Sequence, residues 1–125
     1  MELFIKSLGN LPSNTSSELI TKHLEVGENK AIELLKDKAS RLKISQEGRY
    51  KELVVNLALT TLLPAVNMVY EAEMPSLEIS GSERRFFTPK QTLDLVAMYE
   101  KRAMEIVKFM TKRARFRLIG GLDNG

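Results

Sequence analysis

The sequence predicts a mainly α-helical protein: a three-to-four-helix bundle with a small β-hairpin insert and an extended C-terminal tail. Three observations lead to this fold class. Apolar residues recur at helical spacing over about residues 16–43, 47–72 and 89–113. Residues 76–88 instead alternate polar and apolar side chains around a Gly-Ser pair. The 125 residues, 43% hydrophobic and 28% charged, have the size and composition of one globular domain.

The N-terminal part of the chain predicts a short arm followed by a helix. Three apolar residues anchor the arm of residues 1–14, which ends in a turn rich in glycine, asparagine and proline. Thr15 and Glu18 have the spacing of a capping box, which opens a helix over residues 16–43. Gly27 lies in the apolar stripe of this helix and predicts a break or kink there.

The helix over residues 47–72 contains the most apolar stretch of the chain. Residues 53–70 carry no charge, but they include Pro64 and four Asn or Thr side chains, and they fall short of the roughly 20 apolar residues of a membrane span. We therefore expect a helix that is buried on most sides within a protein assembly, with no membrane partner. Pro64 removes a backbone donor, so the helix should kink there or end near Leu63.

A β-hairpin is predicted between the second and third long helices, over residues 76–88. Its first strand, 76–80, alternates polar and apolar residues, Gly81 and Ser82 form a two-residue turn, and residues 83–87 return as the partner strand. Because a lone hairpin is marginal in water, this one should pack on the helices or extend a neighbouring sheet.

The start of the third helix is the clearest local signal in the chain. Thr88 suits the N-cap, Pro89 suits the first helical position, and Gln91 completes a capping box. The helix should run from there to residue 113. Residues 1–113 would then form one helical domain, and residues 114–125 an extended tail.

The residue types that build active sites and metal sites are scarce. The chain has no cysteine and one histidine, His23, which excludes disulfides and thiol catalysis and leaves zinc too few of its usual ligands. Carboxylates such as Glu71 and Glu73 have the spacing of solvated surface charges, and Gly120-Gly121 lies in a tail instead of a phosphate-binding loop. The sequence therefore predicts a non-enzymatic protein without a metal or a cofactor.

Positive charge is concentrated near the C-terminus. Residues 101–117 contain seven basic residues and one acidic residue, a charge of +6 against +3 for the whole chain, so the remainder carries −3. The helix dipole accounts for one or two of these basic residues. In one interpretation, nucleic-acid phosphates bind the cations Lys101, Arg102, Lys108 and Lys112. In the other, an acidic protein partner binds the segment, and the alternation over residues 113–119 fits an edge strand added to another chain's sheet. We favour the protein partner because only Phe109 and Phe116 interleave the cations.

The run from Asn56 to Asn67, NLALTTLLPAVN, resembles the central helix of the head–tail connector (adaptor) proteins of tailed bacteriophages. In those proteins a similar apolar helix precedes a polar loop or hairpin and then a charged helix, so the resemblance spans about residues 15–113. It implies a structural protein that forms a ring, often of twelve subunits, beneath the portal, with DNA passing through the channel. It also implies assembly in the host cytoplasm and a final place in the virion.

Carried onto this chain, the resemblance implies two contact surfaces. The portal would bind the C-terminal segment, through Arg113, Arg115, Phe116, Arg117, Leu118, Ile119 and Leu122. The next tail component would bind the hairpin, through Leu77, Ile79, Arg84, Arg85 and Phe86. Two other functions stay open: a small helical nucleic-acid-binding protein that uses residues 101–117, and a soluble interaction module such as a chaperone or an inhibitor.

Overall fold

The computed structural model describes the backbone of residues 1–12, 14–77 and 88–123, and the side chains of residues 1–12, 14–68 and 88–112. The prediction of a mainly helical protein is confirmed in this part of the chain. Its helices are α1 Glu2–Leu8, α2 Ser17–Leu35, α3 Ala39–Ser45, α4 Glu47–Leu77 and α5 Pro89–Asp123, and a 3-10 turn, Lys36–Lys38, joins α2 to α3.

α4 forms the centre of the bundle because apolar residues occupy every side of it. All eight residues from Leu53 to Thr60 are buried, and α2 and α5 make most of the contacts that cover them. Residues 53–60 of the uncharged stretch are thus covered by helices of their own chain, whereas Pro64 and Met68 are exposed. Among the described helices, none is both long enough and apolar enough to cross a membrane.

Two apolar clusters hold the other helices against α4. The first joins the C-terminal half of α2, α3 and the second half of α5 to the start of α4, through residues such as Ala31, Leu42, Leu53 and Met110. The second joins α1, the start of α2 and the first half of α5 to the middle of α4, through residues such as Ile5, Ile20, Leu59 and Tyr99. Each fully buried large side chain contributes about 1.5–3 kcal/mol to folding by leaving water.

Gly27 brings α2 and α4 into close contact instead of breaking α2. The helix is continuous from Ser17 to Leu35. A Cβ at Gly27 would lie 2.5 Å from the Val54 carbonyl oxygen and 2.9 Å from the Ala58 nitrogen. The predicted break at Gly27 is therefore wrong, and its physical role is to let two helix backbones approach. The helix ends instead at Leu35, because the next residue, Lys36, has a φ of 56°. No glycine or proline in the sequence signals this position.

α5 runs antiparallel to α4, and two side-chain contacts set the register between the two helices. The Gln46 side-chain nitrogen donates to the Met110 carbonyl oxygen at 3.2 Å. At the other end of the pair, the Asn67 side chain donates to the hydroxyl of Thr92, and both residues are buried. Because a buried amide without a partner costs about 1–3 kcal/mol, the polar pair penalises a shift of one helix along the other.

The predicted capping box at the start of α5 is confirmed. The Gln91 backbone N–H donates to the Thr88 hydroxyl oxygen at 3.1 Å. The Thr88 backbone N–H donates to the Gln91 side-chain oxygen at 2.9 Å. The capping box predicted for α2 is wrong by one residue. Ser16 is the N-cap and accepts from the Leu19 amide at 3.3 Å.

The N-terminal arm is a short helix, α1, which packs against α2 and α4 and is capped by Gly9. The expected anchoring role of Ile5 is confirmed, because Ile5 is fully buried in the second cluster. Tyr99 adds a polar anchor, since its hydroxyl donates to the Leu8 carbonyl oxygen at 2.9 Å. The predicted arm is therefore a helix of seven residues, and a turn follows it at Gly9 and Asn10.

The structure contradicts two predictions at the ends of the long helices: a strand that begins at Ser76, and an extended tail after residue 113. α4 continues through Pro64 to Leu77, so the start of the predicted hairpin strand, at Ser76 and Leu77, is helical. The rest of that hairpin, residues 78–87, lies outside the described residues. The predicted extended tail is helical to Asp123, because an existing helix gains one hydrogen bond for each residue added and Arg, Ala and Leu favour helix.

Candidate functional site

The four cations predicted to contact nucleic acid lie on α5, and all four are exposed: Lys101, Arg102, Lys108 and Lys112. Lys101, Lys108 and Lys112 share one side of the helix, because intervals of seven and four residues nearly complete whole turns. Met110, which is fully buried, marks the opposite side. We name these three lysines the lysine face.

The lysine face keeps its charge available to a partner. None of its three side chains forms an ion pair with a residue of the described part of the chain, where the ion pairs are Lys6–Glu2, Lys43–Glu28, Arg49–Glu52 and Lys51–Glu47. Glu105 lies on α5 between Lys101 and Lys108 and offsets one positive charge. The side of α5 that faces solvent is therefore positively charged over about three turns.

The residues predicted to contact the portal all belong to the last turns of α5: Arg113, Arg115, Phe116, Arg117, Leu118, Ile119 and Leu122. Because the backbone is helical to Asp123, its amide and carbonyl groups are already paired along the helix. The edge strand expected over residues 113–119 is therefore wrong. Positions 116, 119 and 122 are three residues apart and fall on the same side of α5 as the lysine face.

The register of α5 places this segment beyond the start of α4. Gln46, which contacts Met110, immediately precedes Glu47, the first residue of α4. α5 continues for thirteen residues after Met110, which is about 20 Å at the usual helical rise. We name residues 113–123 the C-terminal helix extension. α4 itself does not reach alongside this part of α5.

An open groove of about 840 Å³ lies between α2, α3 and α4, and we name it the α2–α4 groove. Leu24, Val54 and Tyr50 contribute apolar surface to its lining, and Ile44 stands at its edge with 82% of its surface exposed. The groove also has charged residues, which are Glu25, Glu28, Lys43, Glu47 and Lys51. Its size lies within the range of concave binding sites in proteins.

A hydrogen-bonded group fixes the wall of the α2–α4 groove. Glu28 accepts from the Tyr50 hydroxyl at 2.9 Å and from the Lys43 ammonium at 3.0 Å, both through Oε2. Burial and the Glu28 carboxylate raise the pKa of Tyr50 to about 12. The hydrogen bonds from Lys43 and Tyr50 lower the pKa of Glu28. At neutral pH Glu28 is therefore ionised and Tyr50 is neutral, and the three side chains join α2, α3 and α4.

A smaller groove, of about 500 Å³, lies between α1, α4 and α5. The Arg49 guanidinium stands 4.8 Å from the centre of the Phe109 ring and pairs with Glu52 at 3.2 Å. Asn56, which is buried, donates from its side-chain nitrogen to the Glu52 carbonyl oxygen at 2.7 Å. Arg102 and Glu105 of α5 also line this groove, so its two cations are matched by two carboxylates and it is a poor anion site.

His23 joins α2 to the middle of α4. Its Nδ1 lies 2.7 Å from the Thr61 hydroxyl oxygen, and that hydroxyl donates to the Ala58 carbonyl oxygen at 3.2 Å. His23 and Thr61 are therefore hydrogen-bonded, and the tautomer of the imidazole sets which of the two is the donor. Burial, with a smaller effect of Lys22 and Lys30, lowers the pKa of His23 from its ordinary value of 6.5.

This pKa predicts a loss of stability in mild acid. The unfolded chain binds a proton on His23 as the pH falls through about 6.5, whereas the folded chain binds it only at lower pH. The contribution of neutral His23 to stability is thus complete above pH 6.5 and is lost as the pH falls through the folded pKa. Urea unfolding at several pH values should show that His23→Gln removes this part of the pH dependence. Equal slopes for the two proteins below pH 6.5 would contradict the prediction.

The residues predicted to contact the next tail component can be placed only in part. Leu77 is the last residue of α4, while Ile79, Arg84, Arg85 and Phe86 lie outside the described residues. Within the described ranges, no three histidine, aspartate or glutamate side chains come together in a way that could hold a metal ion.

The α2–α4 groove was missed from the sequence alone, although one residue signals it. Ile44 follows the buried Leu42 by two positions and therefore lies off the apolar stripe of α3. An apolar residue outside the buried side of α3 cannot pack in the core between α3 and α4. Its exposure could have been predicted, but the groove beside it depends on how α2 and α4 approach at Gly27.

Comparison with known proteins adds no relative: no family model, curated protein or solved structure matches this chain. The class defined by the fold is therefore the broad one of mainly α-helical proteins, with a central helix covered on several sides by helices of the same chain.

Proposed function

We propose that this chain is a non-enzymatic structural protein that forms a ring and connects a phage head to its tail. The observation that carries the proposal is the C-terminal helix extension. It continues α5 for about 16 Å beyond the start of α4, and it holds three arginines and no acidic residue before Asp123.

A helix that extends past its own bundle is suited to docking on another protein. An isolated helical segment of this length is marginal in water, because packing supplies most helical stability in proteins. A partner that covers the apolar positions of the segment would supply that packing. In the proposed connector the partners are the portal protein and the neighbouring subunits of the ring.

The order of elements supports the same proposal. The apolar helix α4 is followed by residues 78–87 and then by the charged helix α5, as in the connectors that the sequence resembles. Docking through a helix replaces docking through an extended strand in this proposal, because α5 is helical to Asp123. DNA would pass through the axial channel without sequence-specific contacts, and the protein would belong to the virion after assembly in the host cytoplasm.

Removing residues 114–125 tests the docking role. Met110 is the last fully buried residue among the described side chains of α5, so the truncated chain should keep its helical circular dichroism spectrum and a cooperative melting transition. It should fail to enter particles when it replaces the full chain during phage assembly. Normal incorporation of the truncated chain would contradict the proposal. A substitution at an exposed site of α2, Lys22→Ala, is the matched control and should incorporate normally.

Two further observations distinguish a connector from other interaction proteins. A gene for a portal or major capsid protein should lie beside the gene for this chain. Native mass spectrometry and electron microscopy of the chain with that portal should show a closed ring on the portal. A stable one-to-one complex would instead indicate a chaperone or an inhibitor.

The exposed lysine face favours one alternative function, that of a small helical nucleic-acid-binding protein. Such binding should weaken steeply with salt. In a plot of the logarithm of the binding constant against the logarithm of the salt concentration, each duplex phosphate contact lowers the slope by about 0.9. Reversing Lys101, Lys108 and Lys112 to glutamate should abolish it. Reversing the exposed cations Lys22, Lys36 and Arg41 changes the net charge equally and should leave most of the binding. Absence of a mobility shift at low salt would remove this alternative.

A further inference from the structure

We infer that the α2–α4 groove of one copy of this chain binds the C-terminal helix extension of a second copy. The inference rests on the proposed ring and names the contact that builds it. A groove on one subunit and a helix on the next form a heterologous contact, and such contacts generate closed rings when the rotation between subunits permits.

The groove has the apolar surface that a docked helix requires. Leu24 and Val54 line it, and Ile44 exposes 82% of its surface at the edge. An isoleucine so exposed on a seven-residue helix contributes little to the stability of its own chain. The volume of about 840 Å³ leaves room for several side chains of a partner helix.

The groove offers one unpaired carboxylate, Glu25, to a partner. Lys43 is paired with Glu28 at 3.0 Å, and Lys51 is paired with Glu47 at 3.0 Å. Glu25 is the remaining charged side chain of the lining, and it is exposed and forms no ion pair with a described residue. Met1, which bears the N-terminal amino group, also lines the groove. A partner segment should therefore present apolar residues together with a cation.

The C-terminal helix extension has this composition at helical spacing. Positions 116, 119 and 122 hold Phe, Ile and Leu on one side of α5, and Arg115 falls beside them. Positions 113 and 117, one turn apart, fall on a different side. The apolar side can therefore dock on a neighbouring subunit while Arg113 and Arg117 remain available to the portal.

A second copy is the occupant because α5 is one continuous helix, and its own end cannot enter the groove without a break. α5 is one helix from Pro89 to Asp123 and leaves the bundle past the start of α4. It would have to break and fold back to reach the groove of its own chain.

The absence of native cysteine makes disulfide trapping a direct test. Ile44→Cys is combined in turn with Phe116→Cys, Ile119→Cys or Leu122→Cys in the full chain, and each protein is oxidised. At least one pair should give a ladder of covalent dimers, trimers and larger species that reducing agent dissolves. Ile32, an isoleucine 45% exposed outside the groove lining, provides the matched control, and Ile32→Cys with the same partners should give no ladder.

The remaining outcomes overturn the inference in distinguishable ways. Rings without a ladder from any of the three pairs would reject the groove contact and leave the proposed connector standing. Equal ladders from the Ile44 and Ile32 series would indicate random collision. Dimers from the single tail cysteines alone would indicate a symmetric tail-to-tail contact. A ladder that forms open filaments and no ring on a portal would keep the groove contact and reject the connector.

A charge substitution gives a second readout that needs no oxidation. Ile44→Glu should weaken self-association at least about tenfold in analytical ultracentrifugation, because it buries an unpaired carboxylate against the apolar lining. Ile32→Glu should change self-association less than about twofold. Both variants should keep the wild-type melting transition, since both side chains are exposed. Equal self-association of Ile44→Glu and the wild type would overturn the inference.

Discussion

Replacing Gly27 with alanine is expected to lower the free energy of unfolding by about 1–3 kcal/mol, although alanine favours helix more than glycine does by about 1 kcal/mol. The added Cβ would lie 2.5 Å from the Val54 carbonyl oxygen and 3.0 Å from the Ala58 Cβ. A backbone carbonyl cannot rotate out of the way as a side chain does. α2 and α4 must therefore separate, and contacts between these two helices are lost.

Gly48 provides the matched control for this prediction. It lies in the first turn of α4, and a Cβ there would meet nothing within 4 Å. Gly48→Ala should therefore leave the free energy of unfolding unchanged or raise it by up to about 1 kcal/mol. Denaturant unfolding of the two variants measures the difference. Equal stabilities for Gly27→Ala and Gly48→Ala would contradict the close approach of α2 and α4.

Replacing Leu59 with alanine should cost about 2–5 kcal/mol of stability. Leu59 is fully buried and belongs to the apolar cluster that joins α1, α2 and α5 to the middle of α4. Its side chain also packs against Gly9, where a Cβ would meet Leu59 Cδ2 at 2.5 Å. The truncation leaves a cavity where four helices meet, and the long helix α4 cannot bend locally to fill it.

Leu93 on α5 is the matched control for Leu59, because 72% of its surface is exposed. Leu93→Ala should change the free energy of unfolding by less than about 0.5 kcal/mol. Urea or thermal unfolding of both variants checks the prediction. A loss of less than 1 kcal/mol for Leu59→Ala would indicate that the second cluster is looser than its burial suggests.

The beginnings of helices were more predictable than their ends. Thr88, Pro89 and Gln91 predict the start of α5, because a capping box is a local arrangement of three neighbouring residues. The end of α2 at Lys36 has no such signal, and the end of α5 was predicted ten residues too early. A basic segment with alternating apolar residues satisfies both a strand pattern and one side of a helix. The helical alternative is favoured here, because extending an existing helix adds a hydrogen bond for each residue and needs no new nucleation.

Of the candidate site, the sequence predicted the charged residues but neither their arrangement nor the groove. The concentration of cations near the C-terminus is visible in the residue types alone. Their division into a lysine face and a C-terminal helix extension required the helical course of α5. The α2–α4 groove combines residues from three helices, so no local pattern could indicate it.

By itself, the sequence determined that the protein is mainly helical, where α5 begins, and where its positive charge lies. These properties depend on residue types, on apolar periodicity and on caps that act over three or four residues. The tertiary structure alone decided that Gly27 is a contact point of two helices, that residues 53–60 of α4 are covered by their own chain, and that α5 extends past the bundle. Each of these depends on the distance and register between helices far apart in sequence, which the packing of side chains sets.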